Sequence, residues 1–161
     1  MSSISPTPIP YGARRRIQAS TRLLHEWSKL QPWLLPPIYE MRLGPTPLTT
    51  PGTVLTPALE RQLSVFNRYS DLVGPMPTEL LVVEAKMVAD PGAQSQLQHY
   101  LDLVRVSKLP TAWPYLPIQG VLLWAVDDPI IHQRAVAAGI RIEIFTPPWV
   151  ADYLNLKYFH R

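Results

Sequence analysis

The stretch Leu80-Leu-Val-Val-Glu-Ala-Lys86 decides how the chain is read. Its apolar start marks a buried strand, and Glu84 and Lys86 then appear two positions apart. A strand alternates its side chains, so both charged groups fall on one face and Val83 and Ala85 on the other. Charges are rare inside a buried strand unless they pair or bind a cation. Thirteen residues upstream lies Asp71, in a second apolar-aromatic segment. An acid on one strand facing acid-x-Lys on its neighbour suits a divalent cation held against a phosphate. Taken alone, Glu84-x-Lys86 reads more simply as a solvated pair at a strand end, worth ~0–1 kcal/mol.

Working outward, Gly74-Pro-Met-Pro77 predicts a turn joining strands over 63–73 and 79–88 into a hairpin. Asp90-Pro91 predicts a helix start, with Asp as N-cap and Pro at the first position. That helix runs to about Val106, with Ala93, Leu97, Tyr100, Leu101 and Val104 at helical spacing. Towards the N-terminus, residues 1–12 read as an extended Pro-rich arm. Residues 14–30 read as an amphipathic helix with Ile17, Leu24, Trp27 and Leu30 on one face, ended by Pro32. A strand over 38–43 stops at Gly44-Pro45, and a Thr/Pro-rich loop follows to about Pro57. Towards the C-terminus come an apolar strand over 120–126 and a helix over 129–138 with Gly139 as its C-cap. A strand over 140–145 and a helix over 149–156 complete the chain. The order α-β-β-β-α-β-α-β implies an α/β fold, a mixed central sheet flanked by helices. Residues 13–161 form its single domain, behind the arm.

Composition narrows the function classes. At 161 residues, 47% hydrophobic and 17% charged, the chain fits one globular domain with a real core. A net charge of +3 permits a polyanionic partner without demanding one. The absence of cysteine excludes disulfides, thiolate zinc sites and cysteine nucleophiles. It also suits a reducing cytoplasm, the expected location. No run approaches the ~20 apolar residues of a membrane span, and residues 1–16 lack the apolar core of a signal peptide. The 19 prolines fall mainly between the periodic segments, where they stiffen connections. No Gly-rich phosphate loop and no Ser-His-Asp elbow is present.

Gln96 and Tyr100 stand at i and i+4 on the helix that follows Glu84-Ala-Lys86, and so share a face. With them the chain resembles the PD-(D/E)xK, or restriction-endonuclease-like, nuclease superfamily in its RecB-like flavour. Asp71, Glu84-Ala-Lys86 and Gln96-Leu-Gln-His-Tyr100 carry the likeness, which covers roughly residues 14–126. The resemblance implies the αβββαβ core and a catalytic Mg2+, replaceable by Mn2+, held by Asp71 and Glu84. It implies that Lys86 positions the attacking water or the phosphate, and that Gln96 and Tyr100 steady the site or touch the nucleic-acid backbone. The family often adds an acid from the first helix or its neighbourhood. Glu26 and Glu40 qualify, and Glu40 is preferred because it lies in the first strand segment between Tyr39 and Met41. The chain departs from the family in having Ser70 before Asp71 rather than proline, and in the long Pro/Thr-rich loop before the Asp71 strand.

Arg14, Arg15 and Arg16 can grip phosphates or be a solvated helix start. Arg42 and Arg68 flank the Asp71 region as backbone-binding candidates or as ion-pair partners of Glu40 and Asp71. The histidines at 25, 99, 132 and 160 lack metal-ligand spacing. Asp127-Asp128 before Pro129 reads as a helix cap, and Trp113, Trp124 and Trp149 as packing residues.

The expected activity is Mg2+-dependent phosphodiester hydrolysis of DNA. Its rival is a nuclease-fold structural or adaptor subunit of a larger assembly, such as a tailed-phage virion at the head-completion or neck stage. Some phage head-completion proteins resemble the same superfamily. A DNA-binding module without catalysis is a third reading. DNA, and protein partners or a second copy contacting the Pro-rich arm, are the expected partners, in a host cytoplasm or a virion.

Overall fold

A computed structural model of the chain describes residues 11–44, 56–58 and 68–158, with the backbone alone for 11–17 and 156–158. The elements run α1 (Tyr11–Ser28), β1 (Ile38–Leu43), β2 (Arg68–Pro75), β3 (Leu80–Val88), α2 (Pro91–Val104), β4 (Ile118–Val126), α3 (Pro129–Ala137), β5 (Arg141–Ile144) and α4 (Trp149–Tyr158). The strands form one five-stranded sheet in the order β1-β2-β3-β4-β5. The first three pair antiparallel, and β3, β4 and β5 pair parallel. A short turn suffices between β2 and β3, whereas parallel neighbours need a crossover, supplied by α2 and α3. The result is an α/β fold with a mixed sheet between helical layers.

The two central strands are covered on both faces, which is why Leu80–Val83 and Val121–Ala125 read as nearly unbroken apolar runs. On one face α1 and α4 pack Leu23, Leu24, Trp27 and Val150 against Leu81, Val83, Ala85 and Leu123. On the other, α2 and α3 pack Leu97, Tyr100, Val104 and Ala135 against Val82, Leu122 and Trp124. Asp90 caps α2 by accepting from the Gly92 N–H at 2.8 Å. Asp128 caps α3 by accepting from Ile130 and Ile131 at 2.9 and 3.2 Å. Gly139, at φ 78°, follows the end of α3 in the left-handed conformation that glycine favours.

Several boundaries differ from the sequence expectation. Helix α1 begins at Tyr11, inside the expected arm, and ends at Ser28. Leu30 therefore lies beyond the apolar stripe and is exposed, the buried face being Ala19, Leu23, Leu24 and Trp27. Strand β2 continues through Gly74 to Pro75, so the turn falls at 76–79. Proline is tolerated there because it closes the strand, opposite Leu80. Strand β4 begins at Ile118 rather than Gly120. The rest of the expected arm (1–10), most of the Thr/Pro-rich loop and the segment 63–67 lie outside the described residues. No helix among the described residues is long and apolar enough to cross a membrane.

Candidate active site

Asp71 and Glu84 meet where the sheet comes apart. The β2–β3 ladder runs from Pro75↔Leu80 to Leu72↔Val83 and stops. One residue further, side chains replace it. The Ser70 hydroxyl shares its proton between the Leu72 and Val83 carbonyls, each at 3.2 Å, and Asp71 Oδ2 accepts from the Ala85 N–H at 2.8 Å. The β3 backbone groups stay paired while the strands separate, which a buried peptide requires. Asp71 thus sits mid-strand in β2, held by the residue between Glu84 and Lys86.

The neighbouring strand is irregular at the same level. Glu40 has a φ of 49°, uncommon for a residue with a side chain. The β1–β2 register passes from Tyr39↔Leu72 to Met41↔Ser70 without pairing it. Residues two apart on a regular strand share a face, yet Tyr39 packs towards α1 and Met41 towards α2. The left-handed residue switches the faces and stands beside the gap.

A cleft of about 490 Å3 opens there, lined by Ser20, Thr21, Leu24 and His25 of α1, Tyr39 and Glu40 of β1, and Asp71, Ala85 and Lys86. Glu84 lies beneath it, 1% exposed. Its Oε1 is 2.8 Å from Lys86 Nζ, and its Oε2 is buried without a hydrogen-bond partner. The pair is therefore not a solvated one at a strand end: its acid is in the core and only its amine reaches solvent.

The electrostatics follow from that burial. Loss of water and the adjacent negative charge of Asp71 push Glu84 up to about 7, against the opposing pull of Lys86. Burial also raises Asp71, with the charge of Glu40 adding and the Ala85 N–H and Lys86 opposing. For Lys86, burial disfavours the ammonium, but the Glu84 hydrogen bond and the charges of Glu84 and Asp71 outweigh it and raise the pKa. Burial raises the Tyr100 phenol, the Gln96 hydrogen bond opposes this, and the charge of Glu84 adds to it.

Two like carboxyls with raised proton affinity and an orphaned buried oxygen are relieved by a shared proton or by a cation. Asp71 and Glu84 supply hard oxygen donors, and magnesium needs only one or two carboxylates because it keeps several waters. The donor set fits. No three acidic or imidazole groups converge as a metal cluster among the described residues. Glu40 lies at the cleft wall, where its charge reaches Asp71.

The other predicted residues are more dispersed. Gln96 Nε2 donates to the Tyr100 hydroxyl at 2.6 Å, and Tyr100 is buried on the α2 side, within electrostatic reach of Glu84, Asp71 and Lys86. Neither lines the cleft. Arg42 and Arg68 lie beyond the split towards the outer end of the β1–β2 pair and do not line it either. Arg14, Arg15 and Arg16 ride on α1, their side chains outside the described residues. Glu26 is occupied elsewhere. It accepts from Trp149 Nε1 and from Arg22, each at 2.8 Å, contacts that lower its pKa. Trp124 packs fully buried, Asp127 contacts His132 Nδ1 at 2.8 Å, and His99 is exposed on α2.

Sequence reasoning missed Ser70, whose hydroxyl stands in for a ladder bond, although a small polar residue beside Asp71 in an apolar strand was a visible signal. It also missed His25 and Tyr39, which stack in the cleft with ring centroids 4.2 Å apart. They come from separate elements, so no local spacing marks them. No family model matches the chain, and no curated protein or solved structure matches it either.

Proposed function

We propose that the chain is a Mg2+-dependent hydrolase of DNA phosphodiester bonds, built on the PD-(D/E)xK core. One observation carries the reading: a buried Glu84 with an unpartnered oxygen, beside Asp71, where β2 and β3 separate. The order α-β-β-β-α-β, with three antiparallel strands and a parallel fourth, supports that core. Asp71 and Glu84 would hold the ion, with Mn2+ as a substitute. When bound, it would supply Lewis-acid polarisation of the phosphate and neutralise developing negative charge.

The chain's own groups divide the remaining work. Lys86 is kept protonated by the acids around it. It therefore acts as a donor to a phosphate oxygen, where developing negative charge strengthens the contact, and not as a general base. The Ala85 N–H fixes Asp71 through Oδ2, and the Ser70 hydroxyl holds the β3 backbone at Val83. Tyr100, held by Gln96, stands on the α2 side within electrostatic reach of the acids. Glu40 keeps the cleft wall negative beside Asp71.

Cleavage of supercoiled plasmid and of single-stranded circular DNA with Mg2+ tests this, comparing the native chain with Asp71→Ala and Lys86→Ala. The native protein cuts at least one of the two DNAs, and each variant loses ~100-fold or more on it, the usual cost of removing one transition-state contact. Equal cleavage by all three, or none of either DNA by the native chain, refutes the reading.

A further inference from the structure

We propose that the α1 side of the cleft is a base-stacking subsite for an unpaired DNA strand, with the His25–Tyr39 pair as its platform and the adjoining phosphodiester at Asp71 and Lys86. The inference rests on the hydrolytic reading above and names the form of its substrate.

The platform is preformed. The two rings lie 4.2 Å apart at 18°, and both line the cleft. The Ser28 hydroxyl donates its single proton to the His25 carbonyl at 3.0 Å. Tyr39 is therefore the donor in its short contact with Ser28 Oγ. A buried serine thus ties the backbone under one ring to the edge of the other. His25 is nevertheless exposed, and Tyr39 half-buried. An ordered aromatic pair left partly in solvent offers a stacking surface at little ordering cost.

Its position relates it to the acids. Tyr39 pairs with Leu72, and the next residues on the two strands are Glu40 and Asp71. At a rise of ~3.3 Å per residue, the stack and the acid site are immediate neighbours in one cleft. Its volume of about 490 Å3 falls within the ~300–1,000 Å3 range of small-ligand sites. That is room for a nucleotide.

Charge argues the same way. Among the described residues the cleft wall carries the acids Glu40 and Asp71, and one ammonium, Lys86. A duplex brings two phosphate backbones, and the second would meet the acids. Arg22, the cation on α1 nearest this wall in sequence, is held by Glu26 at 2.8 Å and lies 4.3 Å over the Trp149 ring. One phosphate contact beside an aromatic surface suits a strand whose base has left its own stack.

The test separates this inference from the hydrolytic reading by measuring binding without turnover. Fluorescence anisotropy in EDTA follows a short labelled oligothymidine strand, the same strand made wholly abasic, and a duplex of equal length. The native chain is expected to bind oligothymidine more tightly than either competitor. His25→Ala should lose roughly 5- to 10-fold for oligothymidine, the low end for one stacked base, with no change for the abasic strand. His25→Phe should restore the affinity. Circular dichroism melts establish that each variant is folded. No oligothymidine binding, equal binding of the base-bearing and abasic strands, or a folded His25→Ala that binds like the native chain overturns the subsite. DNA cleavage that survives alongside any of these results leaves the hydrolytic reading standing without it. Base-dependent binding with no cleavage does the reverse.

Discussion

The two halves of β3 carry opposite burdens. From Leu80 to Val83 the strand is laddered to β2, paired to β4 and apolar on both faces. From Glu84 to Lys86 it keeps β4 but loses β2, and side chains of Ser70 and Asp71 take over the abandoned backbone groups. The first half contributes stability through burial. The second gives up part of a ladder and takes a carboxylate into the core, both of which cost stability. Cohesion and the proposed chemistry thus occupy successive residues of one strand, and the boundary is the point where Leu72↔Val83 ends the pairing.

Substitutions on either side of that boundary should behave differently. Leu72, fully buried at the last laddered pair, should show the largest stability effect. Leu72→Ala is expected to cost ~2–5 kcal/mol through lost burial and a residual cavity, read as a shifted urea midpoint. Cleavage per folded molecule should be preserved. Lys86→Ala should do the opposite, with a loss of activity worth ~3–4 kcal/mol in transition-state terms and a much smaller midpoint shift at acidic pH. Were Leu72→Ala to lose activity per folded molecule as Lys86→Ala does, the division between the halves would fail.

The pH dependence of stability sharpens the contrast. Glu84 ionises at about 7 in the fold against a reference value of 4.5, and Asp71 is shifted upwards too. The folded state therefore holds more protons than the unfolded chain between those values. The contribution is full below about 4.5 and is lost as the pH rises through 7. The Tm should fall between pH 5.5 and pH 8, by on the order of 2 kcal/mol in stability given ~1.4 kcal/mol per pKa unit. Glu84→Gln should flatten that slope, and Mg2+ should recover more Tm at pH 8 than at pH 5.5. A native Tm that rises over the same range would contradict the buried-acid account.

A smaller effect is expected at the far end of the laddered half. A Cβ on Gly74 would lie 2.7 Å from Pro37 Cβ and 2.9 Å from the Trp33 ring, neither of which yields easily. Gly74→Ala should cost ~1–3 kcal/mol by overpacking, with cleavage per folded molecule unchanged.

How much of this the sequence made legible follows the same boundary. Period-2 alternation sufficed to put Glu84 and Lys86 on one face, because strand geometry is local. The cap residues Asp90 and Asp128 were readable for the same reason. The depth of Glu84 was not, since its burial depends on α2 and β4 packing over it. Nor was the split, because Ser70 and Asp71 replace ladder bonds across strands thirteen and fourteen residues away in sequence. The left-handed Glu40 and the His25–Tyr39 stack are likewise products of tertiary contact. Leu30 shows the converse. Its helical spacing was correct, but the helix ends at Ser28 before the spacing can matter.

The central claim is that Asp71 and Glu84 form a cation site in which the ion replaces a proton. Calorimetric titration of Mn2+ at pH 7, in two buffers of different ionisation enthalpy, tests it most directly. The account predicts saturable binding by the native chain, with heats that differ between the buffers because Glu84 releases its proton on binding. Asp71→Asn and Glu84→Gln should lose that binding. No saturable heat in the native chain, or the same heats in both folded variants, would contradict it.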